Sequence, residues 1–312
     1  MTKTIEDKLS KIPIVNVLVS FLKRIKLLGL EGLSLYDLLE MYVIGIVKGT
    51  LTSRAGAIAF SFFTAIFPFL IFILILIPYI PKENFQAEFL VFLESFLPPN
   101  TSEFFITNIF EDIENTNRGG LLSSVFLLSI FLMANGVNAV FTGFETSYHA
   151  RFNRNVFKQY FYALGIAIIL ALLLIVTVIV LGYFEIYIIQ NLEEHGYLKE
   201  AQGQTGLVLA KYLFFVIMLY ISTSILYYFG TKEGRHSKFF SIGALFTTLL
   251  ILLTSYLFGI YIENFSQYNE LYGSIGALLI LLLYIWLNSN ILLLGFELNA
   301  SLNRLKKKTK LQ

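Results

Sequence analysis

Chemistry in this chain would rest on a few polar groups set in or beside long apolar stretches. Asn135, Asn138, Thr142 and Glu145 recur at i, i+3, i+7 and i+10, which puts them on one face of a helix. Asn290 and Glu297 are seven residues apart and share a face, with Asn288 and Ser289 nearby. Arg54 stands at the entrance to the first apolar run. Hydrocarbon makes such groups costly unless they face protein or water. Arg54, Asn135, Asn138, Glu145, Asn290 and Glu297 are therefore the candidate set, with Arg54, Glu145 and Glu297 expected at a shared depth. Two readings fit them. They form ion pairs and polar contacts that clamp helix ends together, or they line the inner mouth of a substrate path. Glu185, Glu263 and Lys211 fall at the opposite helix ends, where long side chains reach back to water.

Other chemistry has little to stand on. There is no Cys, which excludes disulfides, thiolate metal sites and cysteine nucleophiles. His149, His195 and His236 fall in three separate connections and lack the spacing of a metal-binding helix. No Walker A loop or G-x-S-x-G elbow is present. We assign no catalytic, cofactor-binding or metal residue, expect no cofactor, and read the chain as a non-enzyme. Small residues at Gly56, Ala57, Ala59, Gly273, Gly276 and Ala277 are expected to serve close helix packing.

The elements that must position these groups are membrane helices. Of 312 residues, 56% are hydrophobic and 14% charged, against about 25% charged in soluble domains. Mean hydropathy is +0.72. Six stretches are long enough to span a bilayer, at about 55–80, 121–141, 160–184, 207–229, 239–262 and 273–299. Pro68 lies in the first, where it removes a backbone donor and is expected to kink the helix. Of 23 Lys and Arg, 19 lie before the first span, between spans two and three, between four and five, or in the C-terminal tail. By the positive-inside rule those segments, and both termini, are cytoplasmic. The polar start, without a short apolar run ending in small residues, does not resemble a cleaved signal.

Two further regions carry helical patterns. Val15, Leu18, Phe21, Leu22, Ile25 and Leu28 recur at helical spacing among Lys23, Arg24 and Lys26, predicting a basic amphipathic helix on the anionic inner leaflet. A second amphipathic piece is expected from about Leu35 to Thr50. The segment 82–120 carries seven acids, with Phe85, Phe89, Phe92 and Phe96 on one helix face. It predicts an outer cap of two short helices, which either shelter apolar surface or rest on the outer leaflet. The expected fold class is all-α and polytopic: six transmembrane helices, N-terminal amphipathic interfacial helices and an outer helical cap between spans one and two. The domains expected are a basic N-terminal segment at 1–54, a membrane domain at 55–300 and a basic tail at 301–312.

Several motifs are shared with a known family. Arg54-Ala55-Gly56-Ala57, running through Phe62-Phe63 to Phe67-Pro68, resembles the opening signature of the YihY/BrkB family of bacterial inner-membrane proteins. So do Asn135-Gly136-Val137-Asn138 and Phe144-Glu145-Thr146-Ser147-Tyr148, followed by Arg151, Arg154 and Lys158. Tyr272-Gly273-Ser274-Ile275-Gly276-Ala277 and Leu294-Gly295-Phe296-Glu297-Leu298-Asn299-Ala300 are the most specific match. Leu226-Tyr227-Tyr228-Phe229 and Ile242-Gly243-Ala244 also fit, and the resemblance covers roughly residues 40–305. It implies a six-helix protein of the bacterial inner membrane, in a family whose members have been called serum-resistance virulence factors and, under an older label, ribonuclease BN. The residues give the nuclease label no support, since RNA hydrolysis needs a metal site or an acid–base pair. Two function classes stand. One is a transporter or lipid-handling protein for an amphipathic or anionic solute. The other is a non-transporting protein that organises the envelope or serves virulence. The partners expected are membrane lipids and, in the first class, a small amphipathic or anionic substrate; no nucleic acid is expected.

Overall fold

A computed structural model describes residues 13–26, 34–40, 50–76, 118–146, 155–183, 202–231, 238–264 and 274–309. The elements are α1 (Pro13–Arg24), α2 (Thr50–Leu76), α3 (Arg118–Glu145), α4 (Val156–Tyr183), α5 (Gln202–Gly230), α6 (Ile242–Asn264) and α7 (Ser274–Thr309). A further helical stretch covers 35–40. Helices α2 to α7 each contain a stretch long and apolar enough to cross a membrane. No strand occurs among the described residues, where an isolated bridge pairs Lys26 with Ser34. The chain is an all-α, polytopic membrane protein, with six spans among the described residues. The predicted outer cap lies outside the described residues for all but its last three positions, as do the three histidines.

Local chemistry explains where the helices start. Asn155 caps α4, its Oδ1 accepting from the Phe157 amide at 3.2 Å. Ser241 does the same for α6, its Oγ accepting from the Ala244 amide at 3.2 Å. Such caps satisfy amides that the first turn leaves without partners. Ser34 and Asp37 form a box before the 35–40 stretch. Both the amide and the hydroxyl of Ser34 donate to Asp37 Oδ2 at 2.7 Å, and the Asp37 amide donates back to Ser34 Oγ at 3.3 Å.

The six spans stand as a closed ring in chain order, each packed on the next and α7 returning to α2. Every neighbouring pair is antiparallel. Arg54 near the start of α2 meets the end of α3 and the C-terminal half of α7. Gln159 at the start of α4 meets Thr142 near the end of α3. Tyr162 of α4 lies against Phe229 of α5, and Thr247 of α6 meets Tyr227 of α5. These contacts gather at one end of the ring, called here the near end. The core cluster lies there too, with Ile58, Val137, Phe141, Phe144, Tyr227, Leu293 and Phe296 at its centre.

Several expectations need correction. Helix α2 begins at Thr50, so Arg54 sits in its second turn rather than at its entrance. Helix α1 ends at Arg24, short of Ile25, and Lys26 bridges Ser34, while Leu28 lies outside the described residues. Among its described side chains the exposed apolar ones are Val17 and Phe21, while Leu22 is half-buried. Helix α7 does not stop near 299 but continues to Thr309. Leu298 and Leu302 pack against Leu38 there, and residues 301–309 contain no Gly or Pro to break it. Gly56 is not a packing glycine, since a Cβ built on it meets nothing within 4 Å.

Candidate functional site

Arg54 ties three helices together. Its Nη1 donates to the Gly143 carbonyl at 2.7 Å, and its Nη2 donates to Glu297 Oε1 at 3.2 Å. Both charged side chains are largely buried. Gly143 lies in the last turn of α3, where carbonyls lack helical partners and the helix dipole favours a cation. The planar guanidinium suits this, because its fork can serve two acceptors at once. Glu145, the last residue of α3, is half-buried two positions further on.

Behind this cluster the ring is filled. Phe144 of α3 stacks on Phe296 of α7 with centroids 4.1 Å apart, and both rings meet Tyr227 of α5 edge-on at 5.6 and 5.9 Å. All three are buried. The Tyr227 hydroxyl pairs with Thr247 Oγ1 at 2.6 Å and donates to the Leu292 carbonyl at 2.7 Å. Gly243 and Gly295 let α6 and α7 approach closely enough to frame that hydroxyl. A Cβ on Gly295 would strike Thr247 Oγ1, and one on Gly243 would lie 2.5 Å from the Gly295 carbonyl oxygen. At this depth the axis of the ring is an aromatic plug.

The candidate amides divide between two environments. Asn290 is buried on α7 and donates to the Trp286 carbonyl at 2.8 Å, one turn back in its own helix. Asn288 does the same to Tyr284 at 2.9 Å. The α3 row faces elsewhere. Ala134, Val137, Phe141 and Phe144 form the buried face of α3, whereas Asn135 and Thr142 are exposed and Asn138 is half-buried. Asn135, Asn138 and Thr142 therefore look outward, off the buried face that carries Phe144. Asn135 sits midway along the span Ser124–Glu145. Neither Asn135 nor Asn138 makes a side-chain hydrogen bond among the described residues. Towards the near end, the buried Gln159 extends the row and donates its Nε2 to Thr142 Oγ1 at 3.1 Å.

Sequence reasoning missed Gln159 and the Tyr227–Thr247 pair. Gln159 falls one residue before the third apolar run, at about 160–184, so hydropathy leaves it outside the span. Its depth, one helical turn inside the Asn155 cap, was the available signal. Nothing in a single sequence links Tyr227 on one helix to Thr247 on the next. Among the described residues no three His, Cys, Asp or Glu side chains are grouped as metal ligands.

The family described as Virulence factor BrkB matches residues 45–312. The ribonuclease-like protein YfkH of Bacillus subtilis (strain 168) is 28% identical over 263 residues, covering 82% of this chain and 91% of that protein. A UPF0761 membrane protein of Mannheimia succiniciproducens is 24% identical over 267 residues, covering 83% of this chain and 87% of its own. A second UPF0761 membrane protein, from Psychrobacter sp. (strain PRwf-1), is 38% identical over 77 residues, or 25% of this chain and 14% of the relative. No solved structure matches the chain at a significant level.

Proposed function

The chain belongs to the Virulence factor BrkB family of membrane proteins, and on that premise we propose that it handles an amphipathic anionic solute of the phospholipid type along the outward face of α3. One observation carries this: Asn135 is exposed at the middle of a membrane span. An amide facing hydrocarbon without a hydrogen bond costs about 4–8 kcal/mol on alkane scales. Intramembrane polar groups accordingly face a protein interior, a water-filled cavity or a ligand. Asn138, Thr142 and Gln159 continue the row towards the near end, a series of steps for a polar headgroup whose acyl chains stay in lipid. The buried plug of Phe144, Tyr227 and Phe296 favours this lateral route over an axial one. In this scheme Arg54, Glu297 and Asn290 are structural, and Glu145 marks the inner end of the row.

Reconstitution in vesicles tests the proposal, with a labelled phospholipid and an impermeant quencher reporting exchange between leaflets. The wild type should accelerate exchange. Asn135→Leu combined with Asn138→Leu should slow it about tenfold for each 1.4 kcal/mol of headgroup contact removed. An unchanged rate in that double variant would remove the row from the mechanism, and inactivity of the wild type would end the transport reading. A second reading keeps the alternative of a membrane organiser. Leu127, Leu128 and Phe131 are exposed beside Asn135 and would suit a partner helix. Disulfide cross-linking of Asn135→Cys between copies, without lipid exchange, favours it. We extend no nuclease activity from the name of YfkH to this chain, whose histidines fall in separate connections and which has no Cys.

The orientation we propose puts the near end, with Arg54 and the basic tail, on the cytoplasmic side of the bacterial inner membrane. The Lys and Arg asymmetry supports it. With no native Cys, single cysteines report without background. Asn115→Cys should react with an impermeant thiol reagent in intact spheroplasts, and Lys308→Cys should react only after lysis. Labelling of the tail in intact cells would reverse the topology.

A further inference from the structure

The end of α1 is held in place by specific contacts. The Leu35 amide donates to the Ile25 carbonyl at 3.0 Å beside the Lys26–Ser34 bridge. Lys23 Nζ lies 4.8 Å from the centroid of the Tyr36 ring, close enough for a cation–π contact. Leu38, on the same short stretch, packs on Leu298 and Leu302 of α7. Thus α1 is anchored to the near end of α7, starting one residue from Glu297. So tethered, it still presents one bare face. Val17, Ser20, Phe21 and Arg24 follow i, i+3, i+4, i+7 spacing and line a groove of about 320 Å³. Val17 is 72% and Phe21 61% exposed, and Arg24 is exposed beside them. The helix carries no acid to oppose the guanidinium.

We infer that this groove binds an anionic phospholipid of the surrounding leaflet, with the phosphate on Ser20 and Arg24 and an acyl chain over Val17 and Phe21. Charge and shape both point to that occupant. Arg24 supplies a fork that fits a phosphate, and the hydroxyl one turn away adds a donor. Free phosphate would use only those two groups and leave Val17 and Phe21 in water, whereas a phospholipid covers both halves. The inference is independent of lipid exchange at α3. It concerns resident lipid at the near end and stands whether or not the protein transports.

The test uses the full chain purified in mild detergent, given phosphatidylglycerol or phosphatidylcholine, with retained lipid read by native mass spectrometry. The wild type should retain phosphatidylglycerol in preference. Arg24→Gln should cut that retention about fivefold, the effect of one basic residue at an anionic surface, with an unchanged melting temperature. Arg24→Lys should recover part of it. Val17→Ser with Phe21→Ser should reduce retention of both lipids, and Lys306→Gln with Lys307→Gln, on the α7 tail, should leave it intact. Retention by Arg24→Gln equal to wild type would overturn the proposal. So would equal loss in the tail variant, which would indicate diffuse charge attraction, or competition by inorganic phosphate with no effect of Val17→Ser and Phe21→Ser, which would indicate an anion site without a lipid.

Discussion

Gly295→Val is expected to abolish the monodisperse folded protein in detergent, while Gly56→Val leaves it intact. At Gly295 even one added carbon collides with Thr247 Oγ1, lies 2.6 Å from the Tyr227 hydroxyl and 3.0 Å from the Gly243 carbonyl oxygen. None of these neighbours can yield cheaply. Tyr227 is 1% exposed, and its hydroxyl is engaged by Thr247 at 2.6 Å and by the Leu292 carbonyl at 2.7 Å. Moving α7 away would break the bond to the Leu292 carbonyl and unstack Phe296 from Phe144. Overpacking of this kind costs about 1–3 kcal/mol and sometimes more. Losing the bond to the Leu292 carbonyl adds about 0.5–1.5 kcal/mol, out of a total of roughly 5–15 kcal/mol for a folded domain. The milder Gly295→Ala should still fold, with a melting temperature several degrees lower. Gly165→Ala, where an added Cβ likewise meets nothing within 4 Å, should stay within about a degree of wild type. Size-exclusion profiles against temperature make the comparison. A Gly295→Val protein as stable as Gly56→Val would mean that α6 and α7 do not cross as described.

This contrast between two glycines marks how far the sequence could be read. Six apolar runs and their order were legible because a bilayer imposes length and hydrophobicity on each span separately. Helix ends were less so. The first span was placed from Ala55 by hydropathy, yet α2 reaches back to Thr50, since a helix does not end where its apolar surface ends. Helix α7 likewise runs on to Thr309, its basic last turns being good helix formers. Gly56 and Gly295 look alike in sequence, both small residues in a span. One opens onto space and the other is the contact point of two backbones. That difference lies in the neighbouring helix, which a single sequence does not display.

The candidate residues divide for the same reason. Spacing along α3 put Asn135, Asn138 and Thr142 on one face, and they share it. Which way that face turns depends on where α2 and α4 pack. The buried set of Ala134, Val137, Phe141 and Phe144 turns the row outward. For Asn290 the position was legible and the partner was not, because its amide is satisfied within its own helix at the Trp286 carbonyl. Arg54 and Glu297 are 243 positions apart in the chain. Their shared depth followed from topology, a charge near the same end of two antiparallel spans. The Gly143 carbonyl had no signal at all, since backbone acceptors leave no trace in residue types.

Neutralising Arg54 alone should therefore damage the fold more than neutralising it together with Glu297. The pair joins α2 to α7 at 3.2 Å with both side chains largely buried, and the other guanidinium arm holds the end of α3 at 2.7 Å. Removing one partner of a buried pair leaves the second charge uncompensated, at about 3–5 kcal/mol. Arg54→Gln and Glu297→Gln should each lower detergent stability by an amount of that order, reduced in proportion to residual solvent contact. The double variant should cost less than their sum by about 1–3 kcal/mol. Arg54→Lys should recover little, because one ammonium cannot reach the Gly143 carbonyl and Glu297 as a planar fork does. A parallel cycle with Glu145→Gln measures what the charge at the end of α3 adds. Strict additivity of Arg54→Gln and Glu297→Gln would dissolve the clamp. Lipid exchange, measured on the variants that remain folded, then separates structure from function. A clamp predicts exchange rates unchanged per folded molecule. Coupling in exchange with stability unchanged would instead move the route from the outer face of α3 into the ring, past Arg54 and Glu297.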